Sequence, residues 1–182
     1  MRMNFMKGRI FLTILLPALF MAASAFAQVS PESAERYNAG QDLFKKRRYQ
    51  EALAAFDEAV QLDGKNAQSY RAMGKTYEKL KNVAKAVEFY RMAVTVKPDY
   101  AASYFDMGQL QLRTKKYEDA QSSFQEVLKI DPTLADGKSK EYLKHAYMQQ
   151  GSLFLRRRSY KKSIGQYENA VQLDSTDATA FY

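Results

Sequence analysis

A ten-residue pattern recurs along the chain at a spacing of 34 residues, and that period constrains the fold more than any other feature of the sequence. Its four copies are "LFKKRRYQEA" (Leu43 to Ala52), "YEKLKNVAKA" (Tyr77 to Ala86), "QLRTKKYEDA" (Gln111 to Ala120) and "FLRRRSYKKS" (Phe154 to Ser163), set apart by 34, 34 and then 43 residues. A fixed period of this size marks a stack of like units, each too small to bury its apolar face alone. Extended outward, the windows define units 33–66, 67–100 and 101–134, then a fourth, 144–177, behind nine extra residues, 135–143. Each unit holds two stretches with apolar residues three and four apart, the signature of amphipathic helices. Glycine and proline, eight and four in 182 residues, are too sparse to interrupt them. The expected fold is all-α, an α-solenoid of helix-turn-helix repeats.

Four glycines stand in register inside the first helix of each unit: Gly40, Gly74, Gly108 and Gly151. Each costs about 1 kcal/mol of helix stability relative to alanine, so the column calls for the close approach of a second helix. The second helices carry a facing small column, Ala52, Ala86, Ala120 and Ser163. One turn on come the rings Phe56, Tyr90, Phe124 and Tyr167, then Ala59, Ala93, Val127 and Ala170. The expectation is that small packs against small while the rings fill the space beside them. Pro98 and Pro132 fall just after second helices, and "SPESAE" offers Ser30 as an N-cap with Pro31 at the first helical position.

These residues resemble the tetratricopeptide repeat, with its W-x2-L-G-x2-Y…A-x3-F…P pattern. The second unit fits best, through Tyr70, Met73, Gly74, Tyr77, Ala86, Tyr90, Ala93 and Pro98. Elsewhere Arg36 replaces a large ring, Gln111 an aromatic or aliphatic residue, Gln150 a leucine, and Gly64 and Ser175 a proline. The insertion is helix-compatible and predicts that the first helix of the fourth unit is lengthened by about two turns at its start. Residues 178–182, with Phe181 and Tyr182, read as the start of a fifth unit, and the last apolar face then needs a cover, from further chain or from a partner.

Residues 1–27 differ in kind. A positive head (Arg2, Lys7, Arg9), an apolar stretch from Ile10 to Phe20 and small residues at Ala25 and Ala27 read as a secretory signal cleaved before Gln28, with a retained anchor as the alternative. Residues 28–32 form a short lead-in. Cleavage removes three cations and no acid, leaving 25 against 20, so the net charge falls from +8 to +5. An exported chain of this modest basicity is not expected to meet nucleic acid; a periplasmic or cell-envelope location is.

One histidine and no cysteine leave little room for nucleophilic triads or for a metal site, and no glycine-rich phosphate loop is present. The expectation is a non-enzymatic protein without metal, cofactor or small-molecule substrate. In a stack of helix pairs the first helices line the concave face, the usual binding surface. The residue after each packing column, about 100° round the helix, looks into it. This gives Tyr37, Gln41 and Phe44; Arg71, Lys75 and Glu78; Phe105, Gln109 and Leu112; and Met148, Ser152 and Leu155. Such a groove suits an extended or helical protein segment with apolar anchors and some negative charge, unless several of its rings belong to the core. The two-carboxylate clamp of some tetratricopeptide cochaperones needs lysine and asparagine on successive first helices, and Tyr37, Gln41, Arg71, Lys75 and Asp106 do not supply them.

The cations of the recurring window sit at the end of each first helix and in the turn after it. They are Lys45, Lys46, Arg47 and Arg48; Lys79 and Lys81; Arg113, Lys115 and Lys116; and Arg156, Arg157, Arg158, Lys161 and Lys162. They are expected to form one basic edge. Helix-dipole complementation explains part of it; an anionic membrane or cell-wall surface is the alternative use.

Overall fold

The computed structural model describes residues 30–178, with side chains as far as Leu173. The proposed signal, residues 1–27, lies outside them. Among the described residues every element is a helix: α1 (Pro31–Lys45), α2 (Tyr49–Leu62), α3 (Ala67–Lys79), α4 (Val83–Val96), α5 (Ala101–Arg113), α6 (Tyr117–Ile130), α7 (Lys138–Arg156) and α8 (Tyr160–Ala178). Consecutive helices pack in pairs, α1 on α2 through α7 on α8, and each pair packs on the next through α2–α3, α4–α5 and α6–α7.

Local chemistry sets the ends. Ser30, Asn66 and Asn82 each accept a hydrogen bond from the backbone N–H three residues on, capping α1, α3 and α4. Each first helix stops in a left-handed residue, Arg47, Lys81, Lys115 or Arg158, with φ of 60°, 60°, 61° and 57°. The following N–H then reaches back five residues, as in Arg48 to Leu43 O and Ser159 to Phe154 O, both at 2.9 Å. This is the Schellman ending, which glycine usually supplies. Here a cation supplies it four times.

The glycines do approach a second helix, but their neighbours are the rings rather than the alanines. A Cβ on Gly40 would lie 2.5 Å from Phe56, one on Gly74 2.6 Å from Tyr90, one on Gly108 2.9 Å from Phe124 and one on Gly151 3.1 Å from Tyr167. The ring lies flat where the side chain is missing, and Ala52, Ala86 and Ala120, fully buried, keep the crossing close one turn away. In the fourth pair Ser163 takes that place and donates to Gly151 O at 2.9 Å. The core is therefore divided by seam: Ala52, Leu53, Phe56, Ala72 and Met73 at the first, Ala86, Tyr90, Met107 and Leu110 at the second, and Ala120, Phe124, Leu143, Ala146, Tyr147 and Ala170 at the third.

Six of the nine inserted residues lengthen α7, which has 19 residues where α3 and α5 have 13. The first three, Ala135, Asp136 and Gly137, instead form a left-handed turn with φ of 58°, 57° and 73°. α8 stays helical to Ala178, where the other second helices stop at Leu62, Val96 and Ile130. Residues 179–182 lie outside the described ones.

Candidate functional site

Successive first helices meet: α1 touches α3, α5 touches α7, and Arg71 of α3 reaches Asp106 of α5. Successive second helices make no more than marginal contact, so the stack curves with the first helices inside. Along that inner face runs a recess in two joined parts. One, about 500 Å³, is lined by Phe44, Lys75, Glu78, Lys79, Asp106, Gln109 and Arg113. The other, about 590 Å³, is lined by Gln109, Leu112, Arg113, Glu141, Tyr142 and His145. Gln109 and Arg113 belong to both, which makes the recess continuous over all four first helices.

Phe44, Lys75, Glu78, Gln109 and Leu112 thus lie where the sequence places them. Others do not. Gln41 donates to the Tyr37 hydroxyl at 2.7 Å, and the Tyr37 ring sits 5.8 Å from Phe56, part of the core margin. Phe105 is wedged between Phe124 and Tyr142, at 6.0 and 5.6 Å, and so belongs to the third seam rather than to a free anchor point. Met148, Ser152 and Leu155 lie outside the recess; Ser152 pairs with the Tyr167 hydroxyl at 3.0 Å. Lys79 and Arg113, assigned to the basic edge by their place in the window, line the recess.

The charges inside are already partnered. Asp106 accepts from Arg71 at 2.6 Å and holds Lys75 at 3.3 Å. Glu78 accepts from the Tyr90 hydroxyl and pairs with Arg113. The two cations expected to attract a negative segment are therefore tied to an acid one repeat away. Burial pulls the Arg71 guanidinium down, but the Asp106 charge and hydrogen bond, with Tyr100 behind them, leave it raised. Burial first, then the bond to Glu78, drive the Tyr90 phenol far above its ordinary value. Arg71, Lys75, Lys79 and Arg113 against Asp106, Glu78 and Glu141 leave one positive charge in excess.

Sequence reading missed Asp106, Glu141, Tyr142 and His145 as lining residues. Glu141 and Tyr142 stand on the lengthened start of α7 and His145 follows one turn after Glu141, so the insertion builds part of one wall of the recess. Among the described residues no group of three or more His, Cys, Asp or Glu could hold a metal ion, and no helix is long and apolar enough to cross a membrane.

On the edge, Lys45 pairs with Asp42 at 3.2 Å, Arg48 pairs with Glu51, and Lys162 lies over the Phe154 ring at 5.6 Å. Lys46, Arg47, Lys79, Lys81, Lys115, Lys116, Arg156, Arg157, Arg158 and Lys161 are exposed and form no ion pair among the described residues.

Family models described as tetratricopeptide repeat match residues 37–101 and 101–134, more than half of the chain. The chain belongs to the tetratricopeptide repeat family. Among curated tetratricopeptide relatives, a DnaJ homolog subfamily C member 7 homolog of Dictyostelium discoideum is 29% identical over 111 residues, 59% of this chain and 20% of that protein. The Hsp70-Hsp90 organizing protein of Triticum aestivum is 29% identical over 106 residues, 57% of this chain and 18% of that protein. This tetratricopeptide chain thus spans about a fifth of the length of these relatives. Among solved structures, the first tetratricopeptide domain of Spaghetti (RPAP3) bound to an HSP90 peptide superposes with a TM-score of 0.59 at 22% identity, covering 64% of this chain and 91% of that one. MamA superposes with a TM-score of 0.56 at 15% identity over 89% of this chain and 86% of that one. At these identities the likeness is one of fold.

Proposed function

We propose that this tetratricopeptide chain is a non-enzymatic scaffold that holds a protein segment along its inner face, in an envelope assembly, secretion or anchoring complex reached by export. The observation that carries the reading is the recess shared by all four first helices, long enough for an extended segment and rimmed by both apolar and charged groups. A tetratricopeptide domain of the same fold is bound to a peptide in RPAP3. The clamp pattern is absent, and the inner cations Arg71 and Lys75 share the single carboxylate of Asp106. The segment recognised is therefore held by apolar contact with Phe44, Leu112 and Tyr142 and by hydrogen bonds to Gln109, with one net positive charge favouring a single acidic residue.

Selection of a displayed random-peptide library on the purified protein tests this. Enriched sequences should share apolar positions around one acid and lose binding to Gln109→Lys with Lys79→Glu, two exposed or half-exposed changes outside the seams. Enrichment that is indifferent to this pair would overturn the groove assignment. Export is tested by the mass of the mature protein, which should begin at Gln28.

A second reading has its own support. Four Schellman turns that would be easier with glycine carry Arg or Lys, and most of the cations around them, Lys45, Arg48 and Arg113 excepted, form no ion pair among the described residues. We infer that this edge meets an anionic surface, a membrane leaflet or a cell-wall polymer. Binding to vesicles with anionic lipid should fall steeply between low and high salt; binding that ignores salt refutes it.

A further inference from the structure

The two ends of the stack are not alike. In α5 and α7 the residues five, four and one before the column glycine, and two after it, meet the preceding pair: Ser103, Tyr104, Met107 and Leu110 in α5. The same positions in α1 are Glu35, Arg36, Ala39 and Asp42, all exposed. This end is polar and closes the stack. At the other end the order is reversed. Phe105, Leu112, Phe124 and Leu128 of the third unit are covered by α7. Their counterparts 43 residues on are Met148, Leu155, Tyr167 and Val171, and three of these are open, at 44%, 49% and 65% exposure. Ile164, 56% exposed, stands where the third unit has Gln121, whose side-chain amide lies under α7, 3.5 Å from Ala146 O.

Along α8 the outward residues Tyr160, Ile164, Tyr167 and Val171 follow a spacing of four, three and four, the seam of a helix made to pair lengthwise with another. Around Ile164, Tyr167 and Val171 lies an open, mainly apolar recess of about 500 Å³. The helix is 19 residues, about 28 Å, against 14 in the other second helices. Its sequence is basic at the start, Lys161 and Lys162, and acidic further on, Glu168, Asp174 and Asp177. Turned end for end on itself, such a helix sets its basic start against its acidic finish.

We propose that the α7–α8 face is an interface between two copies of this chain, related by a twofold axis that lays α8 antiparallel on α8 of the partner. The seam is self-complementary in both apolar spacing and charge, which is what a twofold interface requires. Head-to-tail stacking is disfavoured by the same residues, since it would bury Glu35 and the Asp42–Lys45 ion pair of α1 beneath an apolar face. The assignment is independent of what the inner recess binds.

Sedimentation equilibrium of the mature chain over a range of concentrations tests it. The expected result is a monomer–dimer equilibrium; Ile164→Glu with Val171→Glu should give monomer throughout, with unchanged helical circular dichroism because both side chains already face solvent. Lys161→Glu should weaken the dimer and Lys161→Glu with Glu168→Lys should restore it. The chain has no cysteine, so mixing a Tyr160→Cys variant with a Val171→Cys variant should give a mixed disulfide faster than either gives its own. A wild type that stays monomeric, a dimer that survives the double glutamate variant, or equal cross-linking in all three cysteine samples would each overturn the proposal.

Discussion

The glycine column makes a graded prediction that can be worked from distances. Substituting alanine gains about 1 kcal/mol of helix propensity at every position. Against this stands the collision of the new Cβ with the facing ring. At Gly74 the nearest ring carbons of Tyr90 lie at 2.6, 2.7 and 3.1 Å, roughly 1 Å inside ordinary carbon contact. Tyr90 is fully buried and its hydroxyl is bonded to Glu78, so the ring has nowhere to retreat. Overpacking of this kind costs about 1–3 kcal/mol, and against the propensity gain the net effect of Gly74→Ala is a loss of up to about 2 kcal/mol. Gly40→Ala, at 2.5 Å from Phe56, should lose as much. Gly108→Ala, at 2.9 Å, should lose less; Gly151→Ala, at 3.1 Å from a Tyr167 ring that can shift outward, should come out near zero. Gly165, in α8, has nothing within 4 Å, and alanine there should stabilise by about 0.5–1 kcal/mol. Urea titrations followed by circular dichroism give the order from the midpoints at constant slope. If Gly74→Ala melts with the wild type, or if Gly165→Ala loses as much as Gly74→Ala, the close approach of ring to glycine does not hold the pairs together.

Three further outcomes follow from the same contacts. Tyr90 binds its proton more tightly folded than unfolded, so unfolding releases protons above about pH 10 and stability falls as pH rises through that range; Tyr90→Phe should flatten this part of an alkaline stability profile. Asp106→Asn leaves Arg71 half-buried without its charge partner and should cost about 1 kcal/mol in thermal or urea melts at low salt, less at high salt. Replacing Arg47, Lys81, Lys115 and Arg158 by glycine relieves four positive φ angles and should raise stability by about 0.5–1 kcal/mol per site, while weakening attachment to anionic vesicles; a stable variant that binds vesicles as the wild type does would separate the edge from that role.

The period alone was enough for the fold, because glycine, alanine and ring recur at positions that only a paired helix can use. Within the recess, Phe44, Lys75, Glu78, Gln109 and Leu112 were legible from a 100° offset. Phe105 and Arg71 were placed on the right face of their helices, but the same offset cannot tell a ring that meets the next seam from one that meets solvent, nor a cation facing a ligand from one facing Asp106. Arg113 was misassigned because its window groups it with its neighbours in sequence, whereas it stands two residues before the left-handed Lys115 and lines the recess. Glu141 and Tyr142 of that wall came from an insertion whose helical character was readable, with His145 just after it; the three left-handed residues before the helix set where it begins.

The middle joint of the stack, between α4 and α5, differs from its neighbours in what bridges its inner side. There Asp106 with Arg71 and Lys75, and Glu78 with Arg113, span the gap, while the outer joints are bridged by packed aromatic and aliphatic groups. Behind these pairs the joint keeps its own packing of Ala86, Tyr90, Met107 and Leu110, so only its inner, ionic part is open to screening. Added salt should therefore weaken this joint more than the other two, and with it the hold on the width offered to a guest.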